Sequence, residues 1–435
     1  MSSLSPAAYL EAGESSAFAK AAWRLVPFLF LCYLSAYLDR INVAFAKLQM
    51  LNDLGFSEAV YGFGASVFFI GYLLFEVPSN LMLLRVGPRR WIARIMVTWG
   101  LISAGMMFVK TPVMFYGMRF LLGVAEAGFF PAIVLYLTYW FPSSRRSKVT
   151  ALFMTGIPMS GVIGGPLSGW LMTALAGAHG MAGWQWLFLL EGIPTVVLGV
   201  VAFFYLDDKV QDANWLTDSQ KAVIEQKLKD EEPENGLHSV RDGLLNPKIL
   251  LVSAVYFFYT MGLYGVSFWL PTLIKTSGVS DPLNVGLLTA IPYAVGAIAM
   301  VVVSRSSDRT GERRWHLIIP GLAGAFGLAL SVWFAHSTVL AMIALTIGTM
   351  GVMTTISQFW VLPPAFLSGA AAAAGLALAN SVGSISGVVS PSLIGVIKTA
   401  TGSAGAGVLV LSVSLVIGGL LVLLVPPALV NNRRR

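Results

Sequence analysis

Six ionisable side chains lie well inside the long apolar stretches of this sequence, all in its first half: Asp39, Arg40, Glu76, Arg119, Glu126 and Glu191. An ionisable group near the centre of a bilayer costs about 2.5–3.5 kcal/mol to insert, so each one is a candidate for function. A guanidinium can bind a carboxylate through two hydrogen bonds, and a carboxyl can carry a proton. The set therefore favours a site for an organic anion and a proton.

The spacing of two of these charges places them on one face of a helix. Arg119, Gly123 and Glu126 follow the pattern i, i+4, i+7, which lines one side of a helix. The rise over those seven residues is about 10 Å, too long for an easy direct ion pair, so each charge needs a partner elsewhere. We expect the small Gly123 to leave room between the two charges. This face must point into the protein.

Another helix supplies possible partners of both signs. Asp39 and Arg40 are adjacent and project about 100° apart, whereas Tyr33, Tyr37 and Arg40 share one stripe. A cation beside two phenols suits an anionic ligand. An alternative stays open. In it, four side chains form a buried ionic lock that only fixes helix packing: Asp39, Arg40, Arg119 and Glu126.

The other candidates have weaker patterns. Glu76 and Glu191 have no basic neighbour in the sequence, so roles in packing or at helix ends are favoured over proton chemistry. The second half has no charge inside its apolar stretches, but it has polar and aromatic side chains. Among these Asn380 is the most informative, because an unpaired amide is costly in lipid, and Ser384 shares its helical face.

The composition requires a membrane as the surroundings of most of the chain. Of the 435 residues, 56% are apolar and only 11% are charged, and the mean hydropathy is +0.76. A single soluble core stops growing near about 250–300 residues, so it cannot account for this chain. Twelve apolar stretches are long enough to cross a hydrocarbon core of ~30 Å. Their ranges are 23–46, 59–83, 91–110, 112–140, 148–176, 185–206, 249–275, 283–304, 315–335, 338–363, 369–397 and 404–428.

The twelve stretches fall into two halves of six, which echo each other weakly. Arg89 and Arg90 follow the second stretch, and Asp308 and Arg309 occupy the corresponding loop after the eighth. Such duplication is typical of transporters whose site lies between the two repeats. The domains expected are a tail at 1–22, a six-helix bundle at 23–206, a linker at 207–248, a second bundle at 249–428 and a basic tail at 429–435.

The loops indicate the orientation of the chain and exclude several functions. Twenty-two lysines and arginines lie on the side of the termini and four on the opposite side, which predicts cytoplasmic termini and a plasma membrane, expected to be a bacterial inner membrane. The net charge of +7 is scattered over short loops, so nucleic acid is not an expected partner. A single cysteine, Cys32, excludes an internal disulfide and cysteine-rich metal sites. The spacing of Thr217 and Gln220 predicts a short helix in the linker.

Several motifs are distinctive: Tyr37-Leu-Asp39-Arg40-Ile-Asn42, Glu76-Val-Pro78-Ser-Asn80, Arg119-Phe-Leu-Leu-Gly123-Val-Ala-Glu126, Glu191-Gly-Ile-Pro194 and Asn380-Ser-Val-Gly383. They resemble motifs of the major facilitator superfamily, and more narrowly of its anion:cation symporter branch, which includes transporters of tartrate, phthalate, hydroxyphenylacetate and sugar acids. The resemblance implies an all-α fold of twelve membrane helices in two pseudo-symmetric bundles, and a secondary transporter rather than an enzyme.

The resemblance also implies roles for individual residues. It makes Asp39 and Glu126 the proton-coupling carboxyls, and it makes Arg40 and Arg119 the ligands of the substrate carboxylate. Other positions that line the site are Tyr37, Tyr72, Asn380 and Trp360, and the gating positions are Arg89, Arg90, Asp308 and Arg309. The sequence departs from the family pattern at Pro158, where sugar-acid members have glutamine, and at Leu84, where aspartate is usual.

The expected mechanism is proton-coupled symport of a small organic carboxylate such as tartrate. All four central charges would be paired in the empty site, and protonation of Asp39 and Glu126 would free the arginines for the anion. No phosphate-binding loop is present, so the energy would come from an ion gradient without a cofactor, with sodium left open as an alternative to the proton. The chain would work as a monomer in the lipid bilayer. The alternatives are a proton-linked antiporter that exports lipophilic compounds and a membrane sensor that transports nothing.

Overall fold

A computed structural model describes residues 6–142, 145, 149, 152–230, 246–360, 362 and 369–431. Within these ranges the chain is helical, with short connections and no strand, as the sequence predicts. Parts of five predicted segments lie outside this description: residues 1–5 of the first tail, 148, 150 and 151 of the fifth span, 231–245 of the linker, 361 and 363 of the tenth span, and 432–435 of the basic tail.

In the described part of the first half, seven α-helices have defined bounds, because the fourth predicted span is broken in two. They are α1 (Pro6–Leu54), α2 (Glu58–Val86), α3 (Pro88–Gly105), α4 (Pro112–Glu126), α5 (Phe129–Thr138), α6 (Gly156–Ala174) and α7 (Gly183–Tyr205). The break between α4 and α5 falls at Gly128, whose φ of 84° is a left-handed conformation that glycine adopts without strain. It makes Glu126 the last residue of α4.

In the described part of the second half, six long helices are preceded by one helix in the linker and followed by a short one after the last span. They are α8 (Asp218–Lys229), α9 (Pro247–Thr276), α10 (Pro282–Thr310), α11 (Trp315–Trp333), α12 (Thr338–Phe359), α13 (Gly369–Thr401), α14 (Gly405–Leu423) and α15 (Pro427–Val430). The linker helix confirms the predicted capping box, since Thr217 and Gln220 each accept a hydrogen bond from the other's backbone N–H. Its residue Ile224 is buried, and the helix packs against α1.

Eleven of the described helical segments are long and apolar enough to cross a membrane. The remaining predicted span corresponds to α6, which carries five glycines and begins just after residues that the description leaves out. The glycines of α6 serve close packing: Gly165 faces Gly286 of α10, and a Cβ on Gly169 would overlap the backbone of Pro282. The first helix is longer than the predicted span 23–46 at both ends.

The two halves meet along three helix pairs, α2 with α13, α6 with α10 and α1 with α9. The closest approaches lie at the end of the bundle that carries the loops 55–57, 277–281 and 402–404, which we call the far end. There Gly62 of α2 faces Gly395 and Pro391 of α13. The described chain begins and ends at the opposite end, which we call the termini end. Small residues at the far end thus allow the halves to close against each other.

Candidate functional site

A cavity lies between the two halves of the protein. Its volume is about 70 Å³, which is room for a few water molecules. An organic anion therefore needs the surrounding helices to move apart. Six of the residues predicted for the site line the cavity: Tyr37, Arg40, Tyr72, Glu126, Trp360 and Asn380.

An ion pair between Arg40 and Glu126 is the charged centre of this cavity. Arg40 projects from α1, and its guanidinium lies 5.5 Å and 5.7 Å from the ring centroids of Tyr37 and Tyr72. Arg40 is 17% exposed and Glu126 only 1% exposed, so the pair is largely withdrawn from solvent. Each charge is the counter-ion of the other, and removing one would leave the other uncompensated at considerable cost.

Asp39 lies next to Arg40 in the sequence but faces another part of the protein. It is fully buried inside the first half and accepts hydrogen bonds from Ser103 of α3 at 2.9 Å and from Thr195 of α7 at 2.7 Å. Among the described residues, no cation lies within ion-pairing distance of Asp39, and it does not line the cavity. The expectation that all four central charges are paired is therefore wrong for Asp39 in this conformation.

Arg119 is also withheld from the cavity. It is fully buried, its Nε donates to the carbonyl oxygen of Gly64 at 3.3 Å, and both terminal nitrogens lack a partner among the described atoms. Its guanidinium lies 5.0 Å and 5.9 Å from the ring centroids of Phe68 and Phe268. The expected pairing is thus also wrong for Arg119. The helical spacing explains why Arg119 and Glu126 do not pair with each other, as predicted.

Gly123, between these two charges, does not hold open a space for them. A Cβ at this position would overlap the carbonyl oxygen of Phe68. Helix α2 therefore occupies the room that we expected beside the charges. The glycine allows α2 and α4 to approach closely, and this packing places Phe68 beside Arg119.

The second half contributes an amide that crosses to the first half. The Nδ2 of Asn380 donates to Oε1 of Glu76 at 2.9 Å. Ser384, one turn along α13, bonds to the backbone oxygen of Asn380 at 3.1 Å. Glu76 was not among the residues that we predicted for the site. Its position one helical turn after Tyr72 on α2 was the available signal, since i and i+4 share a face.

Most of the remaining cavity wall is aromatic or apolar. Eleven further residues line it, of which the sequence analysis singled out only Tyr33 and Ser384: Tyr33, Phe69, Phe129, Phe130, Met154, Ile157, Tyr256, Leu263, Tyr264, Ile356 and Ser384. The ring of Trp360 packs edge-on against Tyr256, with centroids 5.2 Å apart. Aromatic side chains in apolar helices usually serve packing, so sequence alone cannot assign them to a cavity.

Two of the predicted gating residues, Arg89 and Asp308, make polar contacts that do not cross between the halves. The backbone N–H of Arg89 donates to Asp208 at 2.8 Å, and Asp308 pairs with Arg313 at 2.7 Å. Arg90 and Arg309 are exposed. In the part of the chain that the structure describes, none of the four predicted gating residues joins the two halves.

Glu312 lies in the same loop as Arg313. Its partial burial tends to raise its pKa, but hydrogen bonds from Trp315 and His316 outweigh that effect and lower the pKa.

The far end, by contrast, is closed by four charged side chains and one tryptophan. We call this set the far-end cluster: Lys47, Glu58, Trp269, Lys275 and Lys398. Glu58 pairs with Lys47 at 2.7 Å and with Lys398, across the halves, at 2.5 Å. The Nζ of Lys47 lies 3.5 Å from the ring centroid of Trp269 in the second half. Lys275 completes the contact by donating to the backbone oxygen of Leu48 at 3.0 Å.

Comparison with known proteins now identifies the family. The sequence profile of the Major Facilitator Superfamily matches residues 29–391. The chain belongs to the Major Facilitator Superfamily. As a member of that family it is a multi-pass membrane transporter and not an enzyme, and its two six-helix bundles are the fold of the superfamily.

Relatives of this transporter have been named for several kinds of cargo. A Pseudomonas putida protein named as a metabolite transport protein, NicT, is 48% identical over 97% of both chains. An Agrobacterium vitis protein named as a tartrate transporter is 47% identical over 94% of this chain and 91% of its own. A quinolone resistance transporter of Acinetobacter baumannii is 41% identical over 93% of both.

Solved structures agree with the fold. A bacterial homologue of the human lysosomal transporter Spinster, crystallised in an inward-facing and occupied conformation, superposes with a TM-score of 0.75. It shares 15% sequence identity, and the match covers 92% of this chain and 96% of that one. At this identity the similarity concerns the fold alone.

Proposed function

We propose that this transporter is a proton-coupled symporter that takes up a small organic carboxylate, such as tartrate, by alternating access. The observation that carries the proposal is the Arg40–Glu126 ion pair in the cavity between the halves. A guanidinium in such a cavity binds a carboxylate, and its present counter-ion is a carboxylate of the protein itself. Substrate and Glu126 therefore compete for Arg40.

Protonation of Glu126 decides this competition. Glu126 is the last residue of α4, where the negative end of the helix dipole opposes a negative charge. Once neutral, Glu126 no longer compensates Arg40, and a substrate carboxylate takes its place. With one substrate carboxylate at Arg40 the loaded pair has the same net charge as the empty one, and the second carboxylate of a dicarboxylate such as tartrate is left to Arg119. A site with only the proton carries an unpaired guanidinium. That unpaired charge in a low dielectric is costly, so proton and anion cross together.

The remaining wall suits a hydroxylated or aromatic acid. Asn380 and the phenols of Tyr37 and Tyr72 can exchange hydrogen bonds with hydroxyl groups, and the aromatic side chains can cover an apolar face. Arg119 lies behind Phe68 in this conformation, so we assign it to a second stage, in which helix movement brings it to the substrate. The relative named as a tartrate transporter supports the substrate class.

The wider arrangement follows from the same proposal. The tails 1–22 and 429–435 and the linker 207–248 lie on the cytoplasmic side of a bacterial inner membrane, with six helices on either side of the linker. Arg89, Arg90, Asp308 and Arg309 line the cytoplasmic entrance and pair across the halves when that entrance closes. We also propose that the transporter acts as a monomer, since the two halves of a single chain together line the cavity.

Uptake of labelled tartrate into proteoliposomes tests the proposal. Glu126→Gln should lower proton-driven accumulation at least tenfold and leave tartrate exchange within about threefold of the wild type, because exchange needs no net proton movement. Arg40→Lys should weaken tartrate binding about tenfold, since an ammonium cannot replace the bidentate guanidinium. Asp53→Asn, which keeps an oxygen for the hydrogen bond from Trp184, is the matched control and should behave like the wild type. Full accumulation by Glu126→Gln would reject the scheme.

A second candidate is a proton-linked antiporter that exports lipophilic compounds. The relative named as a quinolone resistance transporter and the Gly-Gly-Pro sequence of α6 at Gly164–Pro166 favour it. In that case tartrate would show no counterflow. A quinolone inside the vesicles would leave in exchange for protons that enter down an imposed gradient. Counterflow of labelled tartrate that a quinolone does not inhibit would decide for the symporter.

A further inference from the structure

The first half carries a groove between α3 and α7 that shares no lining residue with the cavity. Its volume is about 440 Å³, and we call it the α3–α7 groove. Phe204 in its wall is 78% exposed, so the groove opens to the surroundings of the protein. Two arginines line it together with residues that are otherwise apolar: Arg90, Ala93, Arg94, Val97, Gly199, Val200, Phe203 and Phe204.

Close helix packing forms the inner end of this groove. A Cβ on Gly199 of α7 would lie 2.8 Å from the backbone nitrogen of Val97, and one on Gly100 of α3 would lie 2.8 Å from that of Val196. The two helices therefore touch at these glycines. The arginines follow within the first two turns of α3, and α7 ends just after Phe204. The groove thus lies at the termini end, at the level where membrane helices meet the lipid headgroups.

The two arginines share one face of α3. Arg90 and Arg94 are one turn apart, about 6 Å along the axis. The guanidinium of Arg94 lies 3.9 Å from the ring centroid of Trp91, and its buried Nε has no hydrogen-bond partner among the described atoms. No carboxylate of a described residue lies within ion-pairing distance of either arginine. Asp208, beside the start of α3, accepts from the backbone N–H of Arg89 instead.

Two cations above an apolar groove are complementary to an anion that carries an apolar chain. A guanidinium binds phosphate oxygens through two parallel hydrogen bonds, and a hydrocarbon chain covers side chains such as those of Val200 and Phe204. A soluble anion would leave the apolar wall uncovered. A zwitterionic lipid would bring a cation of its own close to the arginines. Basic pockets between membrane helices on the cytoplasmic side are known to bind anionic lipid headgroups.

We propose that the α3–α7 groove binds one anionic phospholipid, such as phosphatidylglycerol, with its phosphate at Arg90 and Arg94 and an acyl chain along Val200 and Phe204. The proposed function places this end of the protein on the cytoplasmic side, so the inference rests on that orientation, but it does not depend on the transported substrate. Arg90 is also one of the predicted gating residues. The test therefore begins with Arg94.

Native mass spectrometry of the purified full-length transporter tests the site. The protein is delipidated in detergent, and phosphatidylglycerol or phosphatidylethanolamine with the same acyl chains is added at increasing concentration. The spectra give the fraction of transporter that carries one lipid. The wild type should bind phosphatidylglycerol at least fivefold more tightly than phosphatidylethanolamine, because each arginine near an anionic headgroup strengthens binding about fivefold. Equal binding of the two lipids would overturn the proposal.

Arginine variants decide where the lipid binds. Arg94→Gln should weaken binding of phosphatidylglycerol about fivefold. The matched control is Arg305→Gln, which removes an exposed arginine at the same end of α10 but outside the groove, and it should stay within twofold of the wild type. Should Arg94→Gln not fold, Arg90→Gln takes its place, since Arg90 is exposed. Binding as tight as that of the wild type in the variant that folds would overturn the site.

A further arm separates a lipid from a free phosphate ester. Glycerol 3-phosphate at 10 mM replaces the lipid, and we expect no bound ester that depends on Arg94. Binding of this soluble ester to the wild type but not to Arg94→Gln would show a site for free phosphate and would overturn the lipid assignment. None of these measurements needs tartrate or a proton gradient. Lipid binding beside absent tartrate accumulation would therefore reject the proposed function and not this site.

Discussion

The far-end cluster holds the two halves together, and neutralising Glu58 should weaken that closure. Glu58 is the member that bonds across the halves to Lys398 while also compensating the buried Lys47. In Glu58→Gln the charge is lost but the side chain keeps its size. Among the described residues, Lys47, which is 3% exposed, then keeps the rings of Trp269 and Tyr61 for compensation. We expect the far end to open more often.

The magnitude follows from the contacts that remain. A hydrogen bond to a charged group contributes about 1.5–3 kcal/mol, but Glu58 and Lys398 are 24% and 15% exposed, so solvent screening reduces their share to about 1 kcal/mol. The bond from Tyr61 to the Phe268 oxygen and the bond from Lys275 to Leu48 are unchanged by the substitution. The equilibrium between open and closed far ends should therefore shift about fivefold toward open.

Labelling of a single cysteine measures this shift. Cys32, the only cysteine of the sequence, is first replaced by serine. Ser66→Cys then supplies a probe that is buried where Ser66 contacts Ser392 across the halves at 2.8 Å. Its reaction rate with a membrane-impermeant maleimide should rise about fivefold with Glu58→Gln. The control Asp53→Asn lies at the same end but bonds within the first half, and should change nothing. An unchanged rate in Glu58→Gln would refute the role of the cluster.

Two further predictions concern stability. Gly123→Ala should lower the melting temperature by several degrees, because the added methyl group overlaps the Phe68 carbonyl and overpacking costs about 1–3 kcal/mol; a wild-type melting temperature would contradict the close contact of α2 and α4. Glu312→Gln should lower the melting temperature at pH 7, where the carboxylate accepts bonds from Trp315 and His316. Folding lowers the pKa of Glu312, so the stabilisation by its carboxylate is present above the unfolded pKa of about 4.3 and fades as the pH falls below that value. The difference in melting temperature between variant and wild type should therefore shrink toward pH 4. A difference that grows on acidification would show the opposite linkage.

The sequence predicts the framework because its signals are local. Hydropathy over about 20 residues identifies the spans, and the capping box at Thr217 identifies the linker helix. Most of the predicted binding residues do line the cavity, and Tyr37, Arg40 and Asn380 lie within motifs of the family. These features need no knowledge of how distant helices pack.

What the sequence could not supply is the partner of each charge. The angle between Asp39 and Arg40 follows from helical geometry, but only the packing of α3 and α7 against α1 shows which of them reaches the cavity. Lys47, Lys275 and Lys398 were counted as loop charges on the side opposite the termini. Their convergence joins residues more than 200 positions apart, and no local pattern contains that information.

Proton uptake on substrate binding tests the central claim, that a substrate carboxylate replaces Glu126 at Arg40. Purified transporter in weakly buffered solution at pH 7.5 is mixed with tartrate, and the pH change is recorded with a dye. The account predicts uptake of about one proton per tartrate bound by the wild type, and about one fewer in Glu126→Gln. Tartrate binding without proton uptake in the wild type, or with equal uptake in both proteins, would contradict it.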